Sequence, residues 1–127
     1  MLLDTHTLLW FINDDSRLPS SIKQQIEATE SVFVSIASIW EISIKISVGK
    51  LTLLTPLETI KVNMVSLSIQ ELPITFEDAI TYLALPLNPV HRDPFDRMLI
   101  SQAINNSLVI VSADSAFNAY AIQRVWA

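Results

Sequence analysis

Residues 91–97 read HRDPFDR and place two carboxylates three positions apart. Asp93, Pro94 and Asp96 predict the start of a helix, with Asp93 as N-cap, Pro94 at the first helical position and Asp96 in the first turn. An acidic side chain there suits the positive end of the helix dipole, so a structural role explains both acids. The same two carboxylates could also belong to a metal or catalytic site. Their position in the fold has to decide between these interpretations.

Three further acids lie near the ends of predicted strands. Asp4 follows the first apolar run, Glu41 lies on the helix after the second, and Asp114 follows the last. Asp4 and Asp114 could each be an N-cap, and Glu41 could pair with Lys45 four residues later. Because carboxyl ends of parallel strands meet at one edge of a sheet, these three acids and Asp96 are predicted there together. Four independent structural roles would not require that coincidence.

The elements that would position these acids alternate along the chain. Short β-rich runs predict strands at residues 1–3, 32–34 and 108–111, with weaker ones near 72–74 and 124–126. Helices are predicted over residues 5–12 and 35–49, with further helix starts at Pro19, Thr55, Thr75 and Asp93. Such alternation predicts an α/β fold with a mostly parallel sheet. With 127 residues, a single domain spanning 1–127 is expected.

The predicted helix over residues 35–49 is unusually apolar. Its hydrophobic side chains cover most of the helix circumference, which predicts a helix that is nearly all buried. Ser38, Glu41 and Lys45 form its only larger polar stripe. Turn-forming residues predict loops at 13–16 and 87–90.

Composition narrows the possible functions. Half of the residues are hydrophobic and the mean hydropathy is +0.41, which indicates that a partner covers part of the surface. A net charge of −5 argues against a broad electrostatic surface for nucleic acid, so any such binding must be local. One glycine, Gly49, is too few for a phosphate-binding loop or a dinucleotide fingerprint.

The sequence also indicates where the protein acts. It contains no cysteine, which excludes thiol catalysis and cysteine-zinc sites. No apolar run is long enough to cross a bilayer, and the N-terminus does not resemble a secretion signal. A cytoplasmic protein without membrane partners is therefore expected.

Carboxylates that crowd at one edge repel each other and destabilise the fold unless a cation neutralises them. Oxygen ligands with retained waters suit Mg²⁺ or Mn²⁺ rather than Zn²⁺. Such ions can make water nucleophilic and can stabilise charge on a phosphoryl group. Hydrolysis of phosphodiester bonds is the chemistry that follows.

Four stretches of the chain, LLDTHTLLW, WEISIK, HRDPFDRMLISQA and VSAD, resemble the PIN-domain ribonucleases. Within that family the chain is similar to the VapC-type toxins of toxin–antitoxin modules. The resemblance implies a three-layer α/β/α sandwich and a metal-dependent endoribonuclease. It implies homodimers and a cognate antitoxin that inhibits the enzyme. The catalytic residues and ligands for Mg²⁺ or Mn²⁺ that it implies are Asp4, Glu41, Asp96 and Asp114.

Hydroxyl and basic groups near these acids are secondary candidates. Thr5 and Ser112 could support the carboxylates, although capping by their hydroxyl groups is the favoured interpretation. Arg97 is expected to be a surface guanidinium, and with Arg92 and Lys45 it could guide an RNA backbone. Residues 87–90 depart from the usual family pattern and are expected to alter the mouth of the substrate site.

Ring side chains are expected to have structural roles. A site of hard oxygen ligands needs neither His6 nor His91, so packing or surface exposure is predicted for both. Trp10, Trp40 and Trp126 are predicted in the core or an interface rather than as base-stacking platforms.

Two alternatives compete with the nuclease. One is a non-catalytic interaction module, in which the acids are only helix caps. The other is a phosphoacceptor receiver domain, which requires an acidic pair after the first strand and a lysine after the last. Thr5 and Ala113 occupy the corresponding positions here, which disfavours the receiver.

Overall fold

Five short strands form one sheet in the computed structural model, which describes residues 1–127. In chain order they are β1 (Leu2–Leu3), β2 (Val32–Ser35), β3 (Ile69–Leu72), β4 (Ile110–Val111) and β5 (Arg124–Val125). The order across the sheet is β3-β2-β1-β4-β5, and every neighbouring pair is parallel. The first strand therefore lies in the middle of the sheet.

Six α-helices and a short 3₁₀ helix connect the strands. The helices are α1 (Thr5–Ile12), α2 (Ser20–Ala28), α3 (Ile36–Ser47), α4 (Leu57–Ser66), α5 (Phe76–Ala84) and α6 (Pro94–Asn106), and the 3₁₀ helix is Ser115–Ala119. No helix combines the length and the apolarity that a bilayer crossing needs.

Side chains of the sheet alternate between two hydrophobic cores. Leu3 and Val34 point into one core, which α1, α2, α3 and α4 cover. Leu2 and Ile110 point into the other core, which α6 and the 3₁₀ helix cover. Successive residues of a strand face opposite sides of its sheet, so the two-residue strand β1 contributes to both. The predicted α/β/α sandwich is confirmed.

Most predicted elements are confirmed, and the helix over residues 5–12 has the predicted bounds. The weak strand near 72–74 lies earlier than predicted, at Ile69–Leu72. Pro73 cannot donate a ladder hydrogen bond, which accounts for the end of β3 at Leu72. Ser68, whose φ is 59°, makes the turn between α4 and β3.

The prediction that the helix at 35–49 is nearly all buried is wrong. Trp40 on α3 is 63% exposed, and Ile36, Ile46 and Val48 are exposed too. The buried residues of α3 are instead Ala37, Ser38, Glu41 and Ile42. Periodicity counts apolar side chains but does not tell which face meets the sheet, and only one face of α3 does so.

Strand register aligns the carboxyl ends of β1, β2 and β4. Leu3 pairs with Val34 and with Val111, so Asp4 and Ser112 leave the sheet side by side. The Asp4 N–H continues the ladder by donating to the Val111 carbonyl at 3.2 Å. The strand ends therefore set the spacing of the residues that follow them.

Leu8 tests the packing of α1 against the sheet. Its side chain is fully buried in the first core, so Leu8→Ala should lower the free energy of unfolding by about 2–5 kcal/mol. Leu54 is fully exposed in a loop, and Leu54→Ala should change the same quantity by less than about 0.5 kcal/mol. Urea denaturation measures both. Equal losses in the two variants would contradict this packing.

Candidate metal centre at the carboxyl edge

Asp4 is a buried carboxylate fixed by two hydrogen bonds. It is the N-cap of α1, and its Oδ1 accepts from the Thr7 N–H at 2.9 Å. Its Oδ2 accepts from the Ser112 hydroxyl at 2.5 Å, which joins the ends of β1 and β4. The predicted cap is confirmed, and the cap leaves further lone pairs on both oxygens for a cation.

Glu41 is buried on α3, beside the residue that follows Asp4. Its Oε1 accepts from the Thr5 hydroxyl at 2.5 Å, and its Oε2 lies 3.0 Å from Lys45 Nζ. The predicted pair of Glu41 with Lys45 is confirmed. Thr5 therefore connects Glu41 to the end of β1, so that α3 brings its acid to the same edge.

Asp114 caps the 3₁₀ helix after β4, as predicted. Its Oδ1 accepts from the Ala116 N–H at 2.9 Å, and its own N–H donates to Ser112 Oγ at 3.0 Å. Ser112 thus contacts both Asp4 and Asp114, and its hydroxyl is fully buried. The hydroxyl groups of Ser112 and Thr5 each donate to a candidate carboxylate. From the sequence, helix capping was the favoured interpretation of these two hydroxyl groups, and support of the carboxylates was the other.

Asp96 lies in the first turn of α6, behind the N-cap Asp93. Asp93 Oδ1 accepts from the N–H groups of Phe95 and Asp96 at 2.8 and 3.1 Å, which confirms the predicted cap. Burial raises the pKa of Asp96 to about 6, against the opposing effect of a hydrogen bond from His91. The negative charges of Asp93 and Asp4 add to the increase. In the metal-free protein, burial and the two neighbouring acids therefore disfavour the ionised form of Asp96.

His91 is the residue that the sequence interpretation set aside. It is buried and packs edge-on against Phe117 and Tyr120, which agrees with the predicted packing role. Its Nε2, however, lies 3.0 Å from Asp96 Oδ2, and its Nδ1 lies 3.2 Å from the Tyr120 hydroxyl. His91 thus touches the candidate site directly. Its place five residues before Asp96 was the only sequence signal.

Arg97 is also placed differently from the prediction. It is buried rather than a surface guanidinium, and it donates to the Pro86 carbonyl at 2.9 Å and to the Tyr120 hydroxyl at 3.2 Å. The local sequence gave no sign of this, because the groups that contact the guanidinium, from Tyr82, Pro86 and Tyr120, are distant in sequence.

Three side chains converge closely enough to share one cation. Ligand atoms of His91, Asp96 and Asp114 all lie within 4.8 Å of one another. Asp4 adjoins this group through Ser112, and Glu41 lies next to Asp4 through Thr5. All four predicted acids are thus at one edge, although Asp4 and Glu41 lie outside the closest group. Their roles as ligands and catalytic residues stay predictions.

The donor set fits a divalent cation. Two carboxylates converge with the ring nitrogen of His91, and the pKa of Asp96 is raised chiefly by burial and also by the neighbouring acids Asp93 and Asp4. Oxygen donors favour hard ions, while one nitrogen donor is also compatible with Mn²⁺. A cation would relieve the repulsion between the acids.

A parallel sheet with carboxylates grouped at its carboxyl edge defines the class of this protein, an α/β domain with a cluster of acids at the strand ends. A family model described as the PIN domain matches residues 1–123. The chain belongs to the PIN-domain family, and membership implies a nuclease in general. No curated protein matches the chain by sequence.

Solved toxin–antitoxin structures share this fold. VapBC2 from Rickettsia felis bound to a promoter DNA fragment has a TM-score of 0.66 and 14% identity over 98% of this chain and 96% of that one. DNA-bound VapBC from Salmonella typhimurium has a TM-score of 0.66 and 19% identity, over 98% and 95%. A toxin–antitoxin complex from Klebsiella pneumoniae has a TM-score of 0.60 and 16% identity, over 98% and 95%. At these identities the likeness establishes the shared fold.

The raised pKa of Asp96 predicts how stability depends on pH in the metal-free protein. The neutral carboxyl is the form that the fold favours, so its stabilising contribution is complete below about pH 4 and is lost as the pH rises through about 6. Asp96→Asn keeps a neutral side chain at every pH. In EDTA, the free energy of unfolding of the wild type relative to this variant should therefore fall by about 2 kcal/mol between pH 4 and 8.

Urea denaturation at several pH values measures this difference. Glu30→Gln is the matched control, because Glu30 is exposed before β2, at the opposite edge of the sheet. The free energy of unfolding of the wild type relative to Glu30→Gln should stay constant between pH 4 and 8. His91→Ala should raise the pKa of Asp96 further, as followed by the carboxyl resonance in NMR, because the opposing hydrogen bond is lost. An unchanged pKa in that variant would contradict the geometry.

Proposed function

We propose that this protein is a metal-dependent endoribonuclease that hydrolyses phosphodiester bonds of RNA and acts as the toxin of a toxin–antitoxin module. The observation that carries the proposal is the grouping of His91, Asp96 and Asp114, next to Asp4, at the carboxyl edge of a PIN-family sheet. A non-catalytic module would need the acids only as caps. Caps alone do not explain why the acids converge.

Asp4, Asp96 and Asp114 would hold Mg²⁺ or Mn²⁺, with Glu41 as a further ligand or as a contact through water. When bound, such an ion supplies a nucleophilic water at neutral pH and stabilises negative charge on a phosphoryl group. The protein contributes fixed orientation: the Thr7 N–H and Ser112 hold Asp4, the Ala116 N–H holds Asp114, and His91 holds Asp96. Ligands that are already oriented need no reorganisation when they bind an ion.

RNA is proposed as the substrate because the four quoted stretches resemble the PIN-domain ribonucleases. The toxin role is supported by the fold shared with three toxin–antitoxin complexes. We expect a cognate antitoxin to inhibit the enzyme by covering the acidic edge.

Cleavage of structured RNA by the purified, antitoxin-free protein tests the proposal. With Mg²⁺ or Mn²⁺ the wild type should cut, and EDTA should stop it. Asp4→Asn and Asp114→Asn should each lower the rate by more than about 100-fold. Changing a residue that only supports a metal ligand costs up to about 100-fold, and the loss of a direct ligand should cost more. Glu30→Gln should cut as the wild type does, since it removes one charge at the opposite edge.

Two outcomes would refute the proposal. Cleavage that persists in EDTA and in Asp4→Asn would exclude the metal mechanism, and DNA cut as fast as RNA would exclude an RNA-specific enzyme. For the toxin role, addition of the protein encoded by the adjacent gene should silence cleavage. Full activity in its presence would argue against that protein as the antitoxin.

A homodimer is proposed from the exposed side of α5. Phe76, Ile80 and Leu83 follow helical spacing and are all exposed, with Leu83 at 87%. On the same helix the polar Asp78 is buried, because it closes a capping box with Thr75 and accepts from Asn105. A helix that buries an acidic residue and exposes an apolar stripe is suited to pack against a second copy.

Light scattering of the isolated protein tests this dimer. The wild type should have the mass of two chains, and Leu83→Glu should have the mass of one, because a charge in an apolar interface costs desolvation. Val65→Glu is the control, since Val65 is exposed on α4 and lies outside this stripe. A monomeric wild type would refute the proposal.

A further inference from the structure

A cleft of about 420 Å³ lies beside the acidic group and has the opposite charge. Two arginines, one histidine and no acidic residue line it, in a protein of net charge −5. Its lining residues are Tyr82, Leu87, Asn88, Pro89, His91, Arg92 and Arg97. His91 belongs to both places, because its Nε2 contacts Asp96 while its ring lines the cleft. The cleft is therefore next to the candidate metal centre.

Arg97 is a buried charge without a counter-charge. It is only 6% exposed, yet no carboxylate lies within 4.0 Å of its guanidinium. Its two hydrogen bonds both use Nη1, to the Pro86 carbonyl and the Tyr120 hydroxyl. The Tyr82 ring lies 5.2 Å from the guanidinium and stabilises the cation without neutralising it. Buried charges are normally paired, so the Arg97 guanidinium is suited to bind an anion that is not part of the protein.

Arg92 adds a second, accessible cation to the same cleft. It is exposed and makes no hydrogen bond or ion pair within the protein. The loop at 87–90 shapes the cleft wall, and Asn88 fixes it by accepting from the N–H groups of Val90 and His91. Residues 87–90, which depart from the usual family pattern and were predicted to alter the mouth of the substrate site, are thus part of this wall. Guanidinium groups match phosphate geometry, and a fixed wall beside them gives the anion a defined position.

We propose that this cleft is a phosphate-binding subsite for RNA, in which Arg92 and Arg97 bind a backbone phosphate next to the one that is cleaved. The proposal rests on the proposed function, which places the scissile phosphate at the acidic group. An RNA strand carries a phosphate at every nucleotide, so a strand held at the metal centre presents another one nearby. The local positive cleft also explains how an acidic protein can bind a polyanion.

Binding of a fluorescein-labelled single-stranded uridine oligonucleotide in EDTA tests the subsite without any cleavage. Fluorescence anisotropy should show about tenfold weaker binding by Arg92→Gln, as expected for the loss of one charged hydrogen bond. The slope of log Kd against log salt should decrease by about 1. Arg17→Gln is the matched control: Arg17 is exposed, pairs with Asp15 in the loop before α2, and should leave the slope unchanged.

Arg97→Lys tests the buried cation while keeping its charge. Lysine cannot reproduce the guanidinium fork, so binding should again weaken by about tenfold. Should this variant fail to fold by circular dichroism, Arg92→Gln decides alone, because Arg92 is exposed and has no partners to lose. Inorganic phosphate should compete with the RNA more strongly than acetate at equal ionic strength, and Arg92→Gln should reduce the difference.

Three results would overturn the subsite: unchanged binding in both variants, an equal loss in Arg17→Gln, or equal competition by acetate and phosphate. The last result would indicate a site for peptide carboxylates instead. Failure of the nuclease proposal is distinguishable. A protein that binds RNA through Arg92 but does not cut it with Mg²⁺ or Mn²⁺ supports the subsite alone, whereas cutting with normal binding by both variants refutes the subsite alone.

Discussion

The hydrogen bond from the Ser112 hydroxyl to Asp4 Oδ2 is the interaction on which the site depends most directly. It joins the ends of two neighbouring parallel strands at 2.5 Å, and the same hydroxyl accepts from the Asp114 N–H. One fully buried oxygen therefore sets the spacing of two acids from opposite ends of the chain. Because the strands are parallel and in register, α3 and α6 bring their own acids to the same edge.

Helix capping does not exclude a ligand role for the same carboxylate. Asp4, Asp93 and Asp114 are each an N-cap, as the local sequence predicts, and a cap hydrogen bond occupies only some of the lone pairs of a carboxylate. The cap fixes the direction of the side chain, which helps any ligand role that the free lone pairs take. The balance is visible at Asp96, where burial and neighbouring acids raise the pKa to about 6. An arrangement that costs stability at neutral pH is typical of functional sites.

Two helices bury polar residues and expose apolar ones. In α3 the buried face contains Ser38 and Glu41 while Trp40 is exposed, and in α5 the buried residue is Asp78 while Leu83 is exposed. In both helices the buried acid has a hydrogen-bond partner. Glu41 accepts from the Thr5 hydroxyl at the acidic edge, and Asp78 accepts from the Thr75 N–H in the capping box and from the Asn105 side chain. The apolar residues that remain exposed contribute to the high mean hydropathy. They are also suited to contact a partner protein.

The sequence by itself determined the features that depend on neighbouring residues. Caps at Asp4, Asp93 and Asp114, the pair of Glu41 with Lys45, and the alternation of strands and helices all follow from local spacing. The grouping of acids at one edge followed too, because topology rules constrain parallel sheets strongly. Only the tertiary structure decided the rest. The contact of His91 with Asp96 and Tyr120, the burial of Arg97, the start of β3 at Ile69 and the exposed face of α3 depend on residues distant in sequence, and no local pattern records which surface will meet them.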